Sequence, residues 1–166
     1  MKKILVLIVG LFLWNSAGAQ EIVSDFQKKY EKDSEFTIVN ITSKMFQLIG
    51  AMASNEEMSI IKDLDGLRVL STDTKTGKHY KNAMSMLNAS KYEELMSVEE
   101  GKEKVKMFTR EKNGTITSLV ILTEDGGEFS MIGISGNIDL KRVASLSKTL
   151  NIEKLEKLEE VSVSEK

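Results

Sequence analysis

The sequence predicts an α+β domain, with a mixed sheet of about five strands, a C-terminal three-stranded antiparallel meander, and helices packed mainly on one face. Three observations carry this. Apolar residues recur at helical spacing in the first half of the chain. Short β-branched runs interrupt them. From residue 103 onward, three strand-like runs are separated only by Asn113-Gly114 and Asp125-Gly126-Gly127.

The elements follow in order. Ile22, Phe26 and Tyr30 recur every four residues, which predicts an opening amphipathic helix. "FTIVNIT", residues 36–42, is short and β-branched and reads as a strand. Met45, Phe46, Leu48, Ile49 and Met52 return to helical spacing, and a second short helix is predicted over 56–62. "DLDG" at 63–66 is a turn and "LRVLS" a strand. "DTKTGKHY" reads as a polar loop. Tyr80, Ala83, Met84 and Leu87 start a helix that Tyr92, Leu95 and Met96 continue or restart after Asn88. Strands are predicted over 103–111, 115–123 and 128–135. The first two meet at Asn113-Gly114, where both residues take positive φ readily. A final helix is predicted over 140–150, buried through Leu140, Val143, Ala144 and Leu150.

The length of 166 residues suits one domain. Residues 1–19 read as a cleaved secretory signal peptide. Lys2 and Lys3 precede the apolar run 4–14, and Ala17-Gly18-Ala19 is an A-x-A cleavage pattern. Residues 20–150 are then a single α+β domain, and 151–166 a charged tail able to form a short docking helix. The run 4–14 is too short for a membrane span, and no second one is present in the sequence. The expected address is periplasmic or secreted. With no cysteine there is neither disulfide nor thiol chemistry, and no cysteine to carry a lipid anchor. A net charge of −2 argues against general nucleic-acid binding.

The order helix, strand, helix, strand, helix, meander, closing in "GISGNIDLKRVASL", resembles a bacterial secreted family known as domain of unknown function 4252. The tract "YEELMSVEEGKEKVKMFTREKNGTITSLVILTEDGGEFSMI" is similar to the same pattern, and the resemblance covers most of the chain after the signal. It implies a fold, with no activity, catalytic residue or ligand. Many members are similar to lipoproteins with a cysteine after the signal, a residue this chain lacks.

Several motifs invite a chemical reading and return a backbone one. Lys75-Thr76-Gly77, Ser135-Gly136-Asn137 and Ser145-x-x-Lys148 are the three signatures of serine acyl-transfer enzymes. Here they run in reverse order, which no circular rearrangement restores. Gly136 and Asn137 instead let the chain turn after a strand, and Asp139 suits a helix start. His79 is the single histidine, so no second one is present to help hold zinc. In a polar loop it is expected to be solvated, and a hydrolase site assembled around it is the runner-up function. "DLDG" and "EDGGE" lack the alternating ligands of a helix-loop-helix calcium site. No cofactor or metal site is expected.

One feature stands apart. Lys102, Lys104, Lys106, Phe108, Arg110 and Lys112 occupy alternate positions, so a strand would project them from one side. A two-residue turn at Asn113-Gly114 would set Phe108 opposite Leu119 and Lys106 opposite Ile121. An even loop at Gly126 would add Ile132 and Ile134. The candidate surface is therefore Lys104, Lys106, Phe108, Arg110, Leu119, Ile121 and Ile132, an apolar centre beside a row of cations. Its register rests on even loops, since a one-residue slip exchanges the faces. Three uses compete: cover by the opening helix or tail, with the lysines guarding a sheet edge; a homodimer or partner interface; or a seat for an amphiphilic or anionic envelope molecule. The expected function is a non-catalytic exported binding module. An accessory role in envelope signalling or assembly is a further alternative.

Overall fold

The computed structural model describes residues 19–30, 36–52 and 61–140. The expected signal (but for Ala19), the short helix over 56–62 (but for Ile61 and Lys62), the closing helix beyond Leu140 and the tail lie outside these residues.

The described elements are helix α1 (Ala19–Lys29), strand β1 (Thr37–Thr42), helix α2 (Ser43–Met52), strand β2 (Leu64–Thr72), helix α3 (Thr76–Ala89), and strands β3 (Glu93–Glu100), β4 (Glu103–Lys112), β5 (Thr115–Glu124) and β6 (Phe129–Gly136). The strands form one sheet in the order β1-β2-β6-β5-β4-β3. Every neighbouring pair is antiparallel. The α+β class and the meander are as expected. The sheet has six strands rather than five and contains no parallel pair. The added strand is β3, where Tyr92, Leu95 and Met96 had suggested helix. A two-residue turn with Gly101 at φ +59° joins it to β4.

The sheet is buried on both sides. On one side Leu70, Phe108, Val120, Leu122, Phe129 and Met131 pack under Ile22, Val23 and Phe26 of α1 and Tyr80, Ala83 and Leu87 of α3. On the other, Leu67, Val105, Met107, Leu119, Ile121, Ile132 and Ile134 form a second core with Phe46 of α2, Ile61, Leu64 and Ile138. Two of the three described helices thus share one side, and α2 lies on the other. The central strand β6 is buried at every position, so it reads as a continuous apolar and small-residue run rather than an alternation.

Helix α1 earns its place through spacing: Ala19, Ile22, Val23 and Phe26 fall on one stripe and are all buried. Glu21 in its first turn and Lys28 and Lys29 in its last suit the helix dipole. It reaches the sheet at Gly133. A Cβ there would lie 2.6 Å from the Ala19 carbonyl oxygen and 2.8 Å from Val23 Cγ2, so only glycine admits the helix this closely.

Candidate functional site

The seven residues expected to share one surface are divided between the two faces of the sheet, with Phe108 in one core and Leu119, Ile121 and Ile132 in the other. Within β5 and β6 the expectation holds: Leu119, Ile121 and Ile132 lie on one face, because residues 125–128 make an even loop and Ile121 pairs with Ile132. Within β4 it also holds, since Lys104, Lys106, Phe108 and Arg110 alternate with Val105 and Met107. The join between β4 and β5 is what differs. Asn113 and Gly114 take φ of 54° and 75°, as a tight hairpin requires, and Lys112 pairs with Thr115. One step on, Glu111 pairs with Ile116 but Arg110 with Ser118. Thr117 is an extra residue, a β-bulge, and its hydroxyl donates to the Arg110 carbonyl at 3.3 Å. The bulge exchanges the faces beyond it, so Phe108 pairs with Val120 rather than Leu119.

The consequence is burial. Phe108 is 2% exposed, Leu119 and Ile121 0%, and Ile132 1%. The cations are engaged as well. Lys104 Nζ lies 2.7 Å from Glu124 Oε2 and 5.4 Å from the centre of the Tyr80 ring. The hydrogen bond with Glu124 raises the Lys104 ammonium above its ordinary pKa. Lys106 Nζ lies 2.9 Å from Glu94 on β3. Arg110 donates to the Ser90 carbonyl at 2.6 Å and stacks 4.2 Å over Tyr92, whose hydroxyl meets Ser118 Oγ at 2.7 Å. Lys104, Lys106 and Arg110 are thus matched by Glu124, Glu94 and the Ser90 carbonyl of the same chain, and the apolar residues beside them are core.

Tyr80 closes this corner. Its phenol is pushed up to about 12, first by burial, then by the charges of Glu99, Glu124 and Glu94. Burial likewise raises Tyr92, with its hydrogen bond to Ser118 and the charge of Arg110 opposing. A phenol held neutral beside an ion-paired lysine is suited to holding α3 against the sheet and is poorly suited to act as a base or nucleophile.

His79 belongs to α3 rather than to a polar loop, and it is 1% exposed. Its ring lies 4.6 Å from Tyr30, 4.9 Å from Phe36, 6.0 Å from Phe129 and 6.3 Å from Phe26. The segment looked polar because Lys75, Lys78 and Lys81 face outward while His79, Tyr80 and Ala83 face inward. Among the described residues no group of three or more acidic, histidine or cysteine side chains could hold a metal. None of the described helices is long and apolar enough to cross a membrane.

A different surface stands out. Among the described residues, the exposed large hydrophobic side chains all lie between positions 38 and 52. They are Ile38 (45%), Val39 (46%), Met45 (50%), Leu48 (54%) and Met52 (90%). They belong to the edge strand β1 and to α2, which begins at the residue after β1 ends and packs on β1 and β2. Helix α2 buries Phe46 and Gly50, and its apolar arc continues around one flank through Met45, Leu48 and Met52. The signal in the sequence was the width of that arc, broader than one buried stripe needs, and the lack of charge in "TIVNIT".

No curated protein and no solved structure matches the chain significantly. A family model does match, over residues 30–146, which takes in β1 through β6. The chain belongs to that family, Domain of unknown function (DUF4252).

Proposed function

We propose that this protein is an exported, non-catalytic binding module that engages a protein partner through its β1–α2 end. The observation that supports it is that, among the described residues, the exposed large apolar side chains are confined to residues 38–52, on a sheet whose other apolar residues are buried or partly buried against one of two cores. The Phe108 surface no longer serves this reading, because its apolar centre is core and its cations are matched internally. Export rests on Lys2, Lys3, the apolar run 4–14 and Ala17-Gly18-Ala19.

Methionine footprinting tests the reading. Met45 and Met52 are exposed, whereas Met107 and Met131 are 0% exposed and serve as internal references. A partner on this end slows peroxide oxidation of Met45 and Met52 in concentrated native extract relative to dilute purified protein. Equal rates in the two samples would reject it.

A further inference from the structure

The two edges of the sheet are built for opposite purposes. Strand β3, at one edge, carries Glu93, Glu94, Glu99 and Glu100 in eight residues. Charges of this kind protect an edge from pairing. Strand β1, at the other, is "TIVNIT", without charge or proline, and no described strand lies on its outer side.

We infer that β1 pairs antiparallel with β1 of a second copy of this chain, joining two sheets into one. This rests on the β1–α2 reading above and names its occupant. The geometry is restrictive. A two-fold axis that sets two edge strands antiparallel must stand perpendicular to the sheet, so each face continues into the same face of the partner copy. Side chains on one face then meet only their own kind of face. With the axis at Val39, valine meets valine and Ile38 meets Asn40. With the axis at Asn40, asparagine meets asparagine and Ile38 meets Thr42. No charge opposes a charge in either register. The same operation on β3 sets Glu93 against Glu99, or Glu94 against Glu100, and repels.

Helix α2 completes the fit. Val39 pairs with Val69 and Ile41 with Leu67, and Val69, Ile41 and Leu67 belong to the core on the α2 side. The two-fold therefore brings both copies of α2 to one face of the joined sheet, flanking the seam. Strand β1 has 6 residues and helix α2 has 10, together fewer than the roughly 20–30 a side of a standard interface, so the dimer is weak, with a dissociation constant on the order of micromolar.

The test uses the purified protein in sedimentation velocity from about 1 µM to about 500 µM, a range that spans such a constant. Wild type moves from monomer to dimer. Val39→Lys, which sets two like charges near the axis, raises the dissociation constant at least tenfold, and Glu100→Lys leaves it unchanged. The chain has no cysteine, so Val39→Cys and Asn40→Cys each supply a single thiol. One of the two gives a covalent dimer on mild oxidation, well above a Glu100→Cys control. A monomer throughout, a dimer indifferent to Val39→Lys, or cross-linking no better than the control would overturn the inference. If it falls while Met45 and Met52 remain protected in native extract, the β1–α2 surface stands and its partner is another protein. If protection is absent too, both fall.

Discussion

Truncating Phe108 to alanine separates a core strand from a binding strand. The ring is 2% exposed and lies in the core that β5 and β6 share with α1 and α3. Removing it forfeits its burial and leaves a cavity that flanking strands close only in part, at a cost of about 3–5 kcal/mol. A domain of this size is stable by roughly 5–15 kcal/mol, so the loss is a large share of the total. With a urea dependence of about 2 kcal/mol/M, the unfolding midpoint falls by about 2 M. Leu48→Ala makes the internal comparison. Leu48 is 54% exposed, so about half of a full burial worth roughly 1.5–3 kcal/mol is at stake, and the loss is about 1 kcal/mol. The assay is urea denaturation followed by far-UV circular dichroism on both variants. A Phe108→Ala loss below about 1 kcal/mol, or equal to that of Leu48→Ala, would refute the placement of Phe108 in the core.

Three further outcomes follow from the same geometry. Gly133→Ala drives a Cβ to 2.8 Å from Val23 Cγ2, and in the uncleaved chain also to 2.6 Å from the Ala19 carbonyl oxygen, and costs about 1–3 kcal/mol in the same assay. Deleting Thr117 removes the bulge and forces β4 to present Phe108 and Lys106 to the wrong core, so the variant fails to give a cooperative transition. Tyr80 makes stability fall in strong base. Its folded pKa of about 12 lies above the ordinary 10.0, so between those values the folded chain keeps a proton that the unfolded chain has released. That contribution is fully present below pH 10 and declines toward pH 12, by at most about 2 kcal/mol once solvent screening is allowed for. Tyr80→Phe removes it, seen as a smaller drop in urea midpoint between pH 9 and pH 11.5.

The parts of the fold legible in the sequence were those with local chemistry. The Asn113-Gly114 hairpin declared itself because its φ values suit few other residue pairs. The α1 stripe and the pairing of Ile121 with Ile132 followed from spacing and an even loop. The bulge at Thr117 carried no such mark, since a threonine in a strand looks the same whether paired or extra. That one residue decided whether Phe108 was surface or core. Strand β3 was hidden by a second bulge: pairing jumps from Glu94 to Met96, which breaks alternation and leaves Tyr92, Leu95 and Met96 at helical spacing. His79 was misplaced for a related reason. Helix α3 begins with lysines on its outer side, so its first turns look like loop until the rings of Tyr30, Phe36 and Phe129 are brought against the imidazole from distant parts of the chain. The β1–α2 surface was visible only as surplus, with more apolar residues at Met45 through Met52 than one helix face can bury.

Amide hydrogen exchange at the two sheet edges, compared between dilute purified protein and concentrated native extract, tests the assignment of the working surface most directly. Slower exchange at Ile38, Val39 and Asn40 of β1 in the extract, with β3 unchanged, is the expected result. Protection confined to Glu93–Glu100, or identical exchange at both edges in the two samples, would contradict it.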